Sequence, residues 1–150
     1  MLLDYEINMS TYAIISLENK CTKVIEEENE FIVEKDTMSI LDNSCRFYGS
    51  SYAGRLAGSN SILKNVYKTP IIIEESHSII LFPISSPRYH YTTWVALKPI
   101  KEYKQSGKYT EITFKNNRKL IVEMSYSAFE NQILRATYLE MISKKRKNME

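Results

Sequence analysis

Three of the chain's four glycines lie between positions 49 and 58, inside a stretch from Ser44 to Ser59 that reads SCRFYGSSYAGRLAGS. Glycine loses more backbone freedom on folding than any other residue. Its concentration here therefore points to positions that need a positive φ, or to a close approach by another backbone or a ligand. The same stretch carries Arg46 and Arg55, the aromatics Phe47, Tyr48 and Tyr52, and the small hydroxyls of Ser44, Ser50, Ser51 and Ser59. Planar cationic forks, short neutral donors and flat amphipathic rings suit phosphates and groove walls. The plainer alternative is a polar loop that runs into a helix.

The flanking sequence reads as short strands. Tyr5 to Leu17 suggests two, with a turn at Asn8 to Ser10 and a bend at Asn19 to Thr22. Lys23 to Ile25 and Glu30 to Val33 then form a hairpin whose tip is Glu26, Glu27 and Glu28; such a tip keeps a sheet edge soluble, and it lacks the alternating ligands and glycine of a calcium loop. Thr37 to Asn43 begins a short helix, capped by Asp36 or Thr37, that delivers the chain into the glycine-rich stretch. Ser50 or Ser51 caps a second helix through about Leu63, in which Gly54 and Gly58 each cost roughly 1 kcal/mol relative to alanine and bare the backbone along one face. Lys64 and Lys68 add charge beside it.

After Pro70, the runs Ile71 to Ile73, Ile79 to Phe82 and Trp94 to Leu97 read as central strands. Tyr109 to Phe114 and Lys119 to Met124 alternate polar and apolar residues across Lys115-Asn116-Asn117-Arg118, a hairpin pattern whose asparagines tolerate positive φ. The last element is a helix opened by a capping box of Ser127 and Glu130. Leu134, Tyr138, Met141 and Ile142 form one apolar stripe on it, and Phe129, Ile133 and Ala136 another. The second is assigned to the core and the first to a dimer contact, the reverse being the alternative. Lys144 to Lys147 suit the negative end of the helix dipole and otherwise read as solvated. The expected fold class is α+β, a mainly antiparallel sheet with a glycine-rich helical insertion and a C-terminal helix.

At 150 residues and 43% hydrophobic, the chain has the size of one ordinary domain, spanning 1–150. Cys21 and Cys45 are the two cysteines, without CxxC or zinc spacing, so neither a disulfide framework nor a metal site is expected. The N-terminus lacks the pattern of a secretory leader and no apolar run is long enough to cross a bilayer, which favours a cytoplasmic location without membrane contact. The net charge of +2 hides an asymmetry: residues 1 to 45 hold ten acids against three lysines, net −7, and residues 46 to 150 seventeen bases against eight acids, net +9. A polyanion such as nucleic acid is the natural partner for the basic part, unless the acidic part folds back on it. Catalysis would have to rest on Cys45 with His77 or His90, and neither a Walker-type loop nor a dinucleotide fingerprint is present. No catalytic residue and no cofactor is assigned. Two classes remain, a DNA-binding regulator and a noncatalytic interaction module.

The run Cys45-Arg46-Phe47-Tyr48-Gly49-Ser50-Ser51-Tyr52-Ala53-Gly54-Arg55, with Ala57-Gly58 after it, closely resembles the signature of the ComK family of bacterial competence transcription factors. Leu81-Phe82-Pro83, Trp94, and Ser125-Tyr126-Ser127 leading into Phe129-Glu130-Asn131-Gln132 resemble the family's later landmarks, so that the likeness extends from about Tyr5 to about Leu139. The resemblance implies a nucleoid-associated activator that binds paired A/T-rich promoter boxes of DNA-uptake and recombination genes, largely through the minor groove, as a homodimer or dimer of dimers, with RNA polymerase as a further partner. Arg46, Ser50, Ser51, Tyr52, Arg55, Lys64 and Lys68 are the candidate DNA-binding residues. Longer members continue into a C-terminal extension associated with adaptor-mediated proteolysis and activation; this sequence stops at Glu150, which puts a proteolytic adaptor in doubt as a partner.

Overall fold

The computed structural model describes residues 1–64, 66–87 and 92–149; His90 lies outside them. Strands β1 (Thr11–Ser16), β2 (Thr22–Glu26) and β3 (Glu30–Val33) lead into helices α1 (Thr37–Phe47) and α2 (Tyr52–Leu63). Six more strands follow: β4 (Ile71–Glu74), β5 (Ile79–Pro83), β6 (Trp94–Ala96), β7 (Ile100–Ser106), β8 (Tyr109–Phe114) and β9 (Lys119–Val122). Helix α3 (Tyr126–Lys147) comes last. All strand pairs are antiparallel, in a six-stranded sheet ordered β3-β2-β1-β6-β5-β4 and a three-stranded sheet β7-β8-β9. The fold is α+β, with a glycine-rich helical insertion between β3 and β4 and a helix at the C-terminus.

Strands β4, β5 and β6 read as continuous apolar runs because the six-stranded sheet is covered on both faces; β5 and β6 are interior strands as expected, but β4, also expected to be central, forms the sheet's edge and pairs only with β5. Successive side chains on a strand point to opposite faces. Accordingly Ile71, Ile73, Ile79, Leu81, Trp94 and Ala96 join Ile40, Leu41 and Cys45 of α1 in one buried cluster. Ile72, Ile80, Phe82 and Val95 join Ile112 and Phe114 of β8 and Phe129, Ala136 and Leu139 of α3 in another. Helices α1 and α2 thus cover one face, and the small sheet with α3 the other.

Two further expectations need correction, and one strand was not foreseen. Tyr5 to Asn8 is not a strand: its polar groups are met by side chains, with Ile7 N–H donating to Ser44 Oγ at 2.9 Å and Tyr48 Oη donating to Ile7 O at 3.1 Å. The cap of α3 is Ser125, whose Oγ accepts from Ala128 N–H at 3.3 Å; Ser127 already sits inside the helix, and Glu130 faces the hydroxyls of Tyr103 and Tyr126 instead of the helix start. Strand β7, IKEYKQS, has no apolar alternation to reveal it, because most of its side chains lie in solvent and only its register with β8 makes it a strand. The turn into β9 places Asn117 at φ +67°.

Candidate nucleic-acid interface

The signature folds into a helix corner. Asp36 starts α1 by accepting from Ser39 N–H at 2.8 Å. The helix ends where Gly49 adopts φ +93°, a value that a side chain would strain. Ser50 N–H returns to Cys45 O at 2.9 Å, and Ser51 Oγ caps α2 by accepting from Gly54 N–H at 3.0 Å. Asp42 joins the two helices: Oδ2 accepts from Arg46 Nε at 2.8 Å and Oδ1 from Tyr52 N–H at 2.9 Å. The Arg46 side chain and the Tyr52 N–H hold the Asp42 carboxyl below its ordinary range.

Much of the signature is therefore occupied by the fold. Ser44 and Tyr48 hold the N-terminal segment, Ser51 caps, and Tyr52 meets Trp94 edge-on with centroids 6.2 Å apart. Cys45 is fully buried, and burial pushes its thiol up to about 11. It is held as a neutral core hydrophobe. His77 sits on the exposed β4–β5 turn against Glu74, 3.0 Å from its carboxylate. Of the arginines, Arg46 is 64% exposed and turns towards solvent around Asp42, whereas Arg55 is 18% exposed and pairs with Glu75 at 2.9 Å, tying α2 to the β4–β5 turn.

The outward face of α2 is made of small residues: Ala53, Gly54, Ala57, Gly58 and Ser61 are all exposed. The two glycines differ in cause. A Cβ at Gly54 would stand 3.1 Å from Ser50 Oγ and 3.3 Å from the capping Ser51 Oγ, while one at Gly58 would meet nothing within 4 Å. Gly58 thus costs the helix about 1 kcal/mol without a packing reason inside the chain. Between this face and the last turns of α3 runs a cleft of about 450 Å³, bordered by Ser50, Arg55 and Gly58 on one side and Arg146 and Lys147 on the other. Lys64, at φ +64° where α2 ends, borders an adjoining recess with Tyr138, Lys145 and Arg146. Lys68 is half-buried, and its carbonyl accepts from Gln132 Nε2 at 2.8 Å.

The structure thus brings Ser50 and Arg55 to the cleft, sets Lys64 in the recess that adjoins it, leaves Arg46 exposed at the corner, and uses Ser51 and Tyr52 for capping and packing. The contribution of α3 was missed from sequence. Its signal was the Lys144 to Lys147 run, but nothing in the order of residues says that this run ends beside Gly58. On α3, Phe129 and Ala136 are fully buried and Ile133 packs against them, while Leu134, Tyr138 and Met141 are exposed and Ile142 half-buried.

The acidic half is partly neutralised elsewhere. Arg118 donates to Glu26 O at 2.9 Å, Asn29 O at 3.1 Å and Glu30 Oε2 at 2.7 Å; Asn116 Nδ2 reaches Glu27 O at 2.6 Å, and Lys23 pairs with Glu30 at 2.7 Å. Among the described residues, Lys64, Lys145, Arg146 and Lys147 form no ion pair.

Comparison with known proteins agrees with the sequence motif. The family model of the ComK protein matches residues 3–148. The competence transcription factor of Bacillus subtilis (strain 168) is 39% identical over 142 residues, an alignment that spans 92% of this chain and 74% of that protein. No solved structure matches the chain significantly.

Proposed function

Because the chain belongs to the ComK family, to which its match over residues 3–148 assigns it, we propose that it activates transcription of competence genes by binding double-stranded, A/T-rich promoter DNA, largely through the minor groove. The observation that carries this reading is the exposed small-residue face of α2, with Arg46 at the end of α1 before it and, at its far end, lysines and an arginine that form no ion pair among the described residues. A narrow A·T minor groove has enhanced negative potential that attracts arginine and lysine, and it admits small hydroxyls and bare backbone more readily than a bulky helix face. Arg46 and Ser50 face solvent or the cleft and are the direct contacts; Ser51, Tyr52 and Arg55 hold the corner, and Lys64 and Lys68 add phosphate attraction.

Paired promoter boxes require paired subunits. Leu134, Tyr138 and Met141, exposed on α3 with Ile142 beside them, are the proposed contact of a homodimer or dimer of dimers, and the bound oligomer is the form that would meet RNA polymerase. The test is a gel shift of an A/T-box duplex against a G/C-rich duplex of equal length, across a salt series. Tighter binding to the A/T duplex, persisting at about 0.15 M salt, is expected. Equal affinity for both that vanishes at that salt would replace this reading with a noncatalytic interaction module, for which the same α3 stripe would be the docking face.

A further inference from the structure

The cleft between α2 and the end of α3 holds features that the fold itself does not use. Arg146 and Lys147 are exposed and have no ion-pair partner among the described residues. Ser59 borders the cleft, is only 2% exposed, and its Oγ has no hydrogen-bond partner among the described residues; Arg55 Nε on the same wall has none there either. Ordered water can satisfy such buried atoms, so the cleft's case for a ligand rests on its free cations and its open face. Gly58 leaves open space above the helix backbone. Glu75 also borders the cleft, and its carboxylate accepts from the Arg55 guanidinium at 2.9 Å.

We propose that this cleft seats the sugar-phosphate backbone of one DNA strand, with Arg146 and Lys147 gripping phosphates from α3 and the bare face at Gly58 letting the strand lie against α2. The proposal rests on the DNA-binding reading above and adds a second wall to it, formed by a different element from the signature. An extended polyanion suits the site better than a single small anion. The cleft runs on into the recess of Lys64 and Lys145, the two sharing Ser61, Ile62 and Arg146, so the cations form a row instead of closing around one point. Phosphate contacts of this kind fix register and orientation, and leave base readout to the corner of Arg46 and Ser50.

The experiment is fluorescence anisotropy on a labelled A/T-rich duplex, from about 0.05 to 0.3 M salt. Arg146→Ala with Lys147→Ala should keep the helix signal in circular dichroism, lower the slope of log affinity against log salt by about 2, and weaken binding on the order of thirtyfold near 0.15 M salt, the factor that two contacts at a slope of about 0.9 each give relative to 1 M. Lys101→Ala with Lys108→Ala, the same charge change on the small sheet, should leave the slope unaltered. Gly58→Met, which has room to fold, should weaken binding at every salt concentration. An unaltered slope in the Arg146/Lys147 variant, with normal binding by the native chain, overturns the cleft while the DNA-binding reading stands. Equal losses in both double variants overturn it in favour of diffuse attraction. Displacement of the duplex by inorganic phosphate, beyond that caused by chloride of equal ionic strength, overturns it in favour of a small-anion site. Absence of duplex binding by the native chain removes both readings together.

Discussion

Arg118 and Arg146 carry the same charge into opposite settings. Arg118, on the β8–β9 turn, spends its donors on two carbonyls and a carboxylate of the acidic β2–β3 hairpin. Arg146 has no ion-pair partner among the described residues and stands beside a helix face stripped of side chains. The sequence shows only an acidic start and a basic remainder. The fold resolves that imbalance in two ways: at the hairpin, opposite charges become internal contacts between distant segments, and at the α2–α3 cleft they are left as surface potential. Charge that is satisfied inside the chain contributes to stability, and charge that is not contributes to encounter with a polyanion.

The largest effect that tests this comparison is expected from Arg118→Ala. The substitution removes three hydrogen bonds between sequence-distant segments, one of them to a charged acceptor, and should cost about 2 kcal/mol, or a melting temperature lower by about 5 °C. Affinity for duplex DNA, measured where the variant is folded, should not change. A parallel fall in affinity would place the hairpin in the interface and dissolve the distinction.

A second test compares the glycines of α2. Gly58→Ala meets no neighbour and should stabilise the chain by up to about 1 kcal/mol through helix propensity alone. Gly54→Ala must displace the hydroxyls of Ser50 and Ser51, the second of which caps the helix, and should destabilise by about 1 kcal/mol when the lost cap outweighs the propensity gain. Urea denaturation of both variants reads the sign directly. Stabilisation by both would mean that the serines move aside freely and that Gly54 is no more needed by the corner than Gly58.

What could be read from the sequence follows from the range of the forces involved. The caps of α1 and α2 were legible to within one residue, Asp36 or Thr37 and Ser50 or Ser51, because a cap is a local contact one turn long; the structure uses Asp36 and Ser51. The runs at Ile71, Ile79 and Trp94 were legible as buried strands because burial on both faces leaves no polar alternation, but the same pattern made β4 read as central when it lies at the sheet's edge. Strand β7 was not, since its pairing with β8 is a backbone matter and its side chains are those of a solvated loop. At the candidate site, the glycines and Arg46 stood out, but the role of Arg55 did not: its pairing with Glu75 joins residues from separate elements. The second wall at Arg146 and Lys147 was invisible for the same reason. Asn116 and Arg118 likewise read as turn residues, although they hold a hairpin almost ninety positions earlier in the chain.

The smallest effect is the most discriminating, because it uses one residue to probe both stability and free charge. The folded-state pKa of Asp42 is depressed, by the hydrogen bond from Arg46 first and the Tyr52 N–H second. A depressed carboxyl contributes stability that is fully present above its unfolded value, about 3.9, and is lost as the pH falls through the lower folded value. Asp42→Asn should therefore lower stability by only a few tenths of a kcal/mol at neutral pH, since the group is exposed to solvent screening, and the gap from the native chain should close below about pH 4. Glu74 titrates with the same sign: burial alone would raise it, but hydrogen bonds from Ser76 and His77 hold it at about 2, so the difference between the native chain and the Asp42→Asn variant is what isolates the corner. The same substitution releases Arg46 from its carboxylate partner. If Arg46 belongs with the uncompensated cations, Asp42→Asn should bind duplex DNA slightly more tightly at neutral pH and with a steeper salt dependence, despite being less stable. Weaker binding in step with the lost stability would instead class Arg46 with Arg118, as a charge whose work is done inside the fold.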